Sequence, residues 1–216
     1  FFQRGFDWIP KAGTIERIKS EVQDRASVLT RKQSGMGSKK IKEIRYVEMP
    51  DKLRKAYHEM ETDYCTNGVS TKYEIVKRTL LMRLAGGFPI AEMESLRNPF
   101  KLNELIHLVV GELKNEQIVC FFRFNAELKA AKRALNGVGV RCETISGVTG
   151  RETRQKHRKA FQDGFRRVIL CQTRCVRYGL DFSSASTMIY YSNWDDYEIR
   201  SQSEDRIIHP QKREPL

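Results

Sequence analysis

The sequence lacks the two motifs with which many nucleotide hydrolases hold ATP and its metal ion. Its 216 residues contain no G-x-x-x-x-G-K-[ST] phosphate loop and no Asp-Glu pair at the end of an apolar strand. Such a loop cradles the phosphates of a nucleotide, and such a pair holds magnesium. The chain by itself is therefore not expected to hydrolyse ATP.

The five cysteines of the chain are not arranged for metal binding. Three residues separate the last two of the five cysteines, but there is no second pair and no histidine at zinc-ligand spacing. No metal site is therefore predicted. An odd number of cysteines without a secretion signal is typical of reduced thiols, so we expect a cytoplasmic protein. The cysteines are Cys65, Cys120, Cys142, Cys171 and Cys175.

Acidic residues are too few to balance the basic ones. The chain has 39 Lys and Arg against 27 Asp and Glu, which gives a net charge of +12. Nine of the basic residues lie between Arg151 and Arg177, against only Glu152 and Asp163. This cluster predicts attraction to a polyanion, and nucleic acid is the commonest such partner. A membrane surface is the lesser alternative, and a solvated basic helix is the alternative without a partner.

Helical periodicity dominates the first hundred residues, whereas the rest of the chain alternates between strands and helices. Short, uninterrupted apolar runs are typical of strands that are buried on both faces of a parallel sheet. We predict an α/β fold with a mainly parallel sheet over residues 101–216, preceded by a mainly helical segment over residues 1–100. The predicted strands are 117–124, 138–145 and two within 167–193; the predicted helices include 13–30, 52–64, 72–84, 126–135 with Asn125 as its cap, and 151–161.

A predicted helix near the end of the chain carries Gln202, Arg206 and His209. Their spacing of four and seven residues places the three side chains on one helical face. Planar guanidinium groups match phosphate oxygens, so such a face suits contact with a nucleotide triphosphate held by a neighbouring lobe. An ordinary solvated helix face is the alternative interpretation of the same pattern.

The order of motifs resembles the second half of the motor in superfamily-two helicase-like proteins, and within them the Swi/Snf-type DNA translocases. In these proteins a strand is followed by T-R-A-G-G-x-G-x-N-L, then by A-x-x-V-I-x-x-D/S, a tryptophan, and Q-A-x-x-R-x-x-R-x-G-Q. The positions of this chain that match are Thr173, Arg174, Gly179, Leu180, Ala185, Ile189, Trp194, Gln202 and Arg206.

The resemblance implies a RecA-like second motor lobe with a preceding helical segment. In the family, ATP and magnesium are bound mainly by a first lobe, to which the two absent motifs belong. The implied partners are that first RecA-like lobe and double-stranded DNA, and the compact chain suggests a bacterial or phage protein. The implied catalytic residues are Arg206 and His209, the nucleotide-binding residues are Gln202, Gly179 and Asp181, and the DNA-binding residues are Arg123, Ser146, Gly147, Thr173 and Arg174.

Three departures from the family pattern limit what the resemblance implies. His209 stands where the family has its second arginine, and a neutral imidazole supplies no fixed charge at pH 7. Val176 and Arg177 replace the paired glycines of the family loop. Asp181 replaces the usual asparagine, which keeps an acceptor for a ribose hydroxyl but adds negative charge. A non-catalytic nucleic-acid-binding or scaffold module with the same fold is therefore the alternative function.

Overall fold

The computed structural model describes residues 2–4, 7–9, 11–23, 41–177 and 180–207. Two units are distinguished along the chain, one formed by Phe1–Ser38 and the other by Lys39–Leu216. The described residues of the first unit form a short antiparallel hairpin and one helix. These elements are β1 (Phe2–Arg4), β2 (Asp7–Ile9) and α1 (Thr14–Gln23).

The second unit begins with a helical segment that has its own small core. Two helices enclose a two-stranded hairpin and are followed by a short 3-10 helix. Their buried residues, among them Met60, Leu84 and Met93, form one apolar cluster. The elements are α2 (Asp51–Asp63), β3 (Cys65–Thr66), β4 (Val69–Ser70), α3 (Glu74–Gly86) and the 3-10 helix Ala91–Leu96.

The remainder of the second unit is an α/β lobe built on a four-stranded sheet. All four strands are parallel, and their spatial order is β6-β7-β5-β8. The predicted α/β fold with a parallel sheet flanked by helices is thereby confirmed. The elements are α4 (Phe100–Val110), β5 (Ile118–Phe122), α5 (Asn125–Gly137), β6 (Cys142–Ile145), α6 (Arg151–Gln162), β7 (Val168–Gln172), the 3-10 helix Thr173–Arg177, β8 (Thr187–Tyr190), α7 (Tyr197–Glu204) and the 3-10 helix Asp205–Ile207.

Both faces of the sheet are covered, as the uninterrupted apolar strands require. On one face, Cys120 and Phe122 of β5 pack with buried residues of α4 and α5. On the other face, Phe121 packs with Phe161 of α6 and with Phe182. Every residue of β5 is fully buried. The side chains of β5 therefore alternate between two apolar cores.

The second predicted strand is shorter than its apolar pattern suggested. Residues 138–145 were expected to be extended, but only Cys142–Ile145 form β6. The Val138 N–H donates to the carbonyl of Ala134, and Gly139 has a φ of +82°, a left-handed conformation that ends helix α5. The local helix-ending turn therefore overrides the β propensity of Val138 and Val140.

Candidate functional site

The residues predicted to contact DNA lie at one edge of the sheet. We use the term carboxyl edge for the end at which the four parallel strands finish. Strands in a parallel sheet present the residues that follow them at this same edge. The predicted residues at this edge are Ser146 and Gly147 after β6, Thr173 and Arg174 after β7, and Arg123 after β5. Ser192 to Asp195, which were not predicted to contact DNA, follow β8 at the same edge.

Hydrogen bonds join neighbouring strand ends along the carboxyl edge. The Gly147 N–H donates to Oε1 of Gln172 at 3.1 Å, and Thr173 Oγ1 donates to the Phe122 carbonyl at 3.2 Å. The Arg123 N–H donates to Ser192 Oγ at 2.8 Å. Gly147, Thr173 and Arg123 therefore each join two neighbouring strand ends, and the Thr173 hydroxyl is buried and already donates to backbone.

The loop that contains Ser146 and Gly147 is held closed by its own side chains. The Ser146 N–H donates to Thr149 Oγ1 at 3.0 Å. Arg154 of α6 donates from Nε to the Thr149 carbonyl at 2.8 Å and from Nη2 to the Ser146 carbonyl at 3.0 Å. Arg154 belongs to the basic cluster seen in the sequence, but its guanidinium fixes the shape of this loop.

A tryptophan with two guanidinium neighbours lies at the end of the edge nearest β8. The guanidinium carbons of Arg123 and Arg174 are each 4.2 Å from the centroid of the Trp194 ring. Arg174 is exposed, whereas only 9% of the Arg123 side chain is accessible. Arg123 also forms an ion pair with Asp195. Of the two arginines, Arg174 is thus the one that presents its charge to solvent.

The predicted single helix through Gln202, Arg206 and His209 is wrong in its extent. Helix α7 ends at Glu204, and from Asp205 to Ile207 the chain tightens into a 3-10 turn. Arg206 lies in this turn, whereas His209 lies outside the described residues. Gln202 donates from Nε2 to Glu198 Oε1 at 2.7 Å within α7.

Asp181 is brought next to the turn that carries Arg206. The Phe182 N–H donates to the Arg206 carbonyl at 3.0 Å. The Asp181 carboxylate accepts the Ser183 N–H at 2.9 Å and a hydrogen bond from Gln162 at 3.2 Å. Gly179, which was predicted to bind nucleotide together with Gln202 and Asp181, lies outside the described part of the chain. The nucleotide-binding roles of these residues remain predictions.

The buried side chain of Glu127 bonds to residues at the carboxyl edge and was not among the predicted residues. Glu127 of α5 is 1% exposed and accepts hydrogen bonds from Ser192 Oγ and from the Phe124 N–H. Burial raises the pKa of the Glu127 carboxyl above its ordinary value. Its position was visible in the sequence, because Glu127 is four and eight residues before the apolar Ala131 and Leu135 and therefore shares their buried face.

The described residues provide neither a cluster of metal ligands nor a membrane-spanning helix. Among them, no group of three or more His, Cys, Asp or Glu side chains is placed to hold a metal ion. Within the same ranges, no helix has the length and apolar content needed to cross a bilayer.

Comparison with known protein families gives a match over the α/β lobe. The family model described as helicase conserved C-terminal domain matches residues 100–211, slightly more than half of the chain. Curated relatives described as bifunctional helicase and thymine dioxygenase JBP2, from Leishmania infantum, Leishmania tarentolae and Leishmania major, are each 23% identical over 118 residues. The match covers 54% of this chain, which spans only 11% of the length of each of these relatives.

Solved structures with the same fold include C-terminal parts of ATPase domains. The C-terminal part of the Fun30 ATPase domain has a TM-score of 0.58 at 14% identity, covering 83% of this chain and 84% of that one. The C-terminal domain of the Sulfolobus solfataricus SWI2/SNF2 ATPase has a TM-score of 0.55 at 14% identity, covering 69% and 70%. The core domain of the same ATPase has a TM-score of 0.63 at 14% identity, covering 94% of this chain and 44% of that one.

Proposed function

The chain belongs to the helicase conserved C-terminal domain family and has the fold of a Swi2/Snf2-type C-terminal lobe, and we propose that it is the second motor lobe of an ATP-dependent translocase on double-stranded DNA. The carboxyl edge is its DNA-backbone surface. The last helix and the turn after it face the nucleotide held by the first lobe. The single observation that carries this proposal is that the residues matching the family's DNA motifs, although distant in sequence, lie at one edge of one parallel sheet.

The DNA surface in this proposal recognises phosphate groups and not base sequence. Arg174 offers an exposed guanidinium to phosphate at this edge, whereas the N–H groups of Ser146 and Gly147 are already bonded to Thr149 Oγ1 and Gln172 Oε1 and hold their loop in place. Contacts from such side chains to phosphate oxygens position a protein on a duplex without reading the sequence. Arg123 and Thr173 support the surface from within, because one is ion-paired and the other donates to backbone.

On the nucleotide side, we assign Arg206 and His209 to the catalytic cleft that forms when the two lobes close. Positive charge placed there stabilises the phosphoryl group during transfer. Gln202, Gly179 and Asp181 would contact the nucleotide beside them. ATP and magnesium would be bound mainly by the first lobe, which supplies the phosphate loop and the Asp-Glu pair. We thus propose that the first lobe binds ATP and magnesium while this lobe supplies positive charge, and that the protein is cytoplasmic.

The proposal is tested by duplex binding at increasing salt concentration. A protein that contacts about six phosphates loses about 10³-fold in affinity between 50 and 200 mM salt. We expect Arg174→Ala to weaken binding and to make the dependence of log K on log salt shallower by about 0.9, the loss of one phosphate contact.

The matched control is Arg133→Ala, which removes an exposed arginine from the third turn of α5, away from the start of that helix at the carboxyl edge. Arg133→Ala should leave the salt slope nearly unchanged. Equal effects of the two substitutions would contradict a DNA surface at the carboxyl edge.

A second candidate function, a scaffold module without motor activity, is favoured by one observation. Arg123 and Thr173 are both bonded internally, which is typical of structural residues. Such a module would bind DNA without any coupling to ATP. Measurement of DNA-stimulated ATP hydrolysis in a protein that contains both lobes distinguishes the two functions.

A further inference from the structure

Asp195 lies among three arginines at the carboxyl edge. Its carboxylate pairs with the Arg123 guanidinium, and its Oδ2 is 3.6 Å from Nε of Arg78 in helix α3. Arg174 is near the same group, because the Trp194 ring centroid lies 4.2 Å from both the Arg123 and the Arg174 guanidinium carbons. A single carboxylate therefore sits in a strongly basic environment.

The arginine at the centre of this group has unused hydrogen-bonding capacity. Arg123 Nε is buried and has no hydrogen-bond partner among the residues that the structure describes. The Arg123 side chain is only 9% accessible, so its charge must be balanced by an anion close to it. A guanidinium presents two edges to oxyanions, and a backbone phosphodiester, with two charged oxygens and one negative charge, can take the place of a carboxylate at such an edge.

We propose that the Asp195 carboxylate is an internal competitor for a DNA phosphate, and that a phosphate displaces it from Arg123 and Arg78 when the duplex binds. This inference rests on the proposed function, because it assigns the phosphate to DNA. Asp195 would then limit the affinity of the carboxyl edge for the duplex.

The two partners of the ion pair differ in their freedom to move. The Asp195 side chain is 29% accessible and lies in the loop between β8 and α7, so it can rotate toward solvent. Arg123 follows β5, one of the two central strands of the sheet, and its N–H donates to Ser192 Oγ. Replacing the carboxylate with a phosphate keeps the buried guanidinium paired, whereas removing the carboxylate without a replacement leaves a buried charge alone.

The sharpest test compares Asp195→Asn with Asp196→Asn. Both variants remove one negative charge, and the two positions are adjacent. Asp196 caps helix α7 by accepting the N–H groups of Glu198 and Ile199, a role that asparagine also fills. Asp196→Asn therefore controls for the general gain in net charge.

The measurement is the affinity of each variant for a duplex of arbitrary sequence between 50 and 200 mM salt. We expect Asp195→Asn to bind about 5- to 10-fold more tightly at 0.1 M salt, because the phosphate no longer competes with a carboxylate for Arg123, with a slope of log K against log salt close to that of the wild type, because the same phosphate contact forms in both proteins. Asp196→Asn should produce a clearly smaller gain.

Thermal unfolding with and without the duplex provides an independent measurement. Asp195→Asn should have a lower Tm than the wild type in the absence of DNA, because Arg123 loses its anion, and a larger rise in Tm when the duplex is added. Equal gains in affinity for the two variants, or a weaker affinity in Asp195→Asn, would overturn the inference while leaving the proposed DNA surface intact. Failure of the wild type and both variants to bind the duplex would instead overturn the proposed function and the inference with it.

Discussion

Two glycines with the same backbone conformation differ in what surrounds them. Gly87, after helix α3, has a φ of +78°, and a Cβ there would lie 1.9 Å from the Asn98 carbonyl oxygen. Gly139, after helix α5, has a φ of +82°, and a Cβ there would meet no atom within 4 Å. The first position combines an unfavourable backbone conformation with a backbone clash, whereas the second has only the unfavourable conformation.

We predict that Gly87→Ala lowers the free energy of unfolding by about 3 kcal/mol or more, since backbone shifts must relieve the clash as well as the strained φ. Gly139→Ala should cost only about 1 kcal/mol, the cost of a left-handed alanine. Urea unfolding of both variants measures the difference. A similar cost at the two positions would show that the Gly87 turn relaxes freely around a side chain.

Glu127 makes stability depend on pH in a defined direction. Because burial raises the pKa of this carboxyl in the folded protein, the folded state holds a proton that the unfolded state releases. The free energy of unfolding therefore falls as the pH rises from the ordinary glutamate pKa of about 4.3 through the raised folded pKa, and this loss is complete above it.

Glu127→Gln removes this ionisation while retaining an oxygen that can accept from Ser192 and Phe124. We predict that the variant gains stability relative to the wild type as the pH rises above the ordinary glutamate pKa of about 4.3, because only the wild type loses stability as its buried carboxyl is forced to ionise. Glu152→Gln, at an exposed position of α6, is the control. A stability difference between Glu127→Gln and the wild type that is independent of pH would contradict a folded-state pKa above the ordinary value.

At the scale of elements, apolar patterning predicted the strands and most helices, but not how each of them ends. The apolar runs placed β5 and β7 correctly because both faces of the sheet are buried. The ends of α5 and α7 depend on local backbone bonds that apolar patterning does not encode. Asn125, for example, was expected to cap α5, but it is the first helical residue, and Glu127 instead accepts the N–H of Phe124.

Helix α6 and the loop before it are joined by an arginine whose role the charge pattern did not reveal. We predict that Arg154→Ala lowers the free energy of unfolding by about 2 kcal/mol, because it removes two charge-assisted hydrogen bonds to the loop carbonyls. Arg151→Ala removes an exposed arginine from the same helix and should change stability by less than about 0.5 kcal/mol. Chemical denaturation compares them, and equal losses would mean that Arg154 does not hold the loop.

At the scale of the whole molecule, the order of motifs along the chain carried most of the information about fold and family. Motifs separated by tens of residues end on adjacent parallel strands, so their order predicts a shared edge. The sequence could not show that Arg123 is paired with Asp195, because that contact spans 72 residues and depends on the strand order. It also could not distinguish Arg154, which holds a loop, from Arg174, which is exposed beside Trp194.

As proposed above, this lobe works with a first motor lobe to couple ATP hydrolysis to duplex DNA. The most direct measurement is the rate of ATP hydrolysis, with and without duplex DNA, by a protein that joins this chain to its first lobe. We predict stimulation by DNA, and a fall in kcat of about 10³-fold or more in Arg206→Ala, the loss expected when an arginine finger is removed. Arg133→Ala should retain the wild-type rate. Unchanged hydrolysis in Arg206→Ala, or a rate of hydrolysis that is the same with and without DNA, would contradict the proposed motor function.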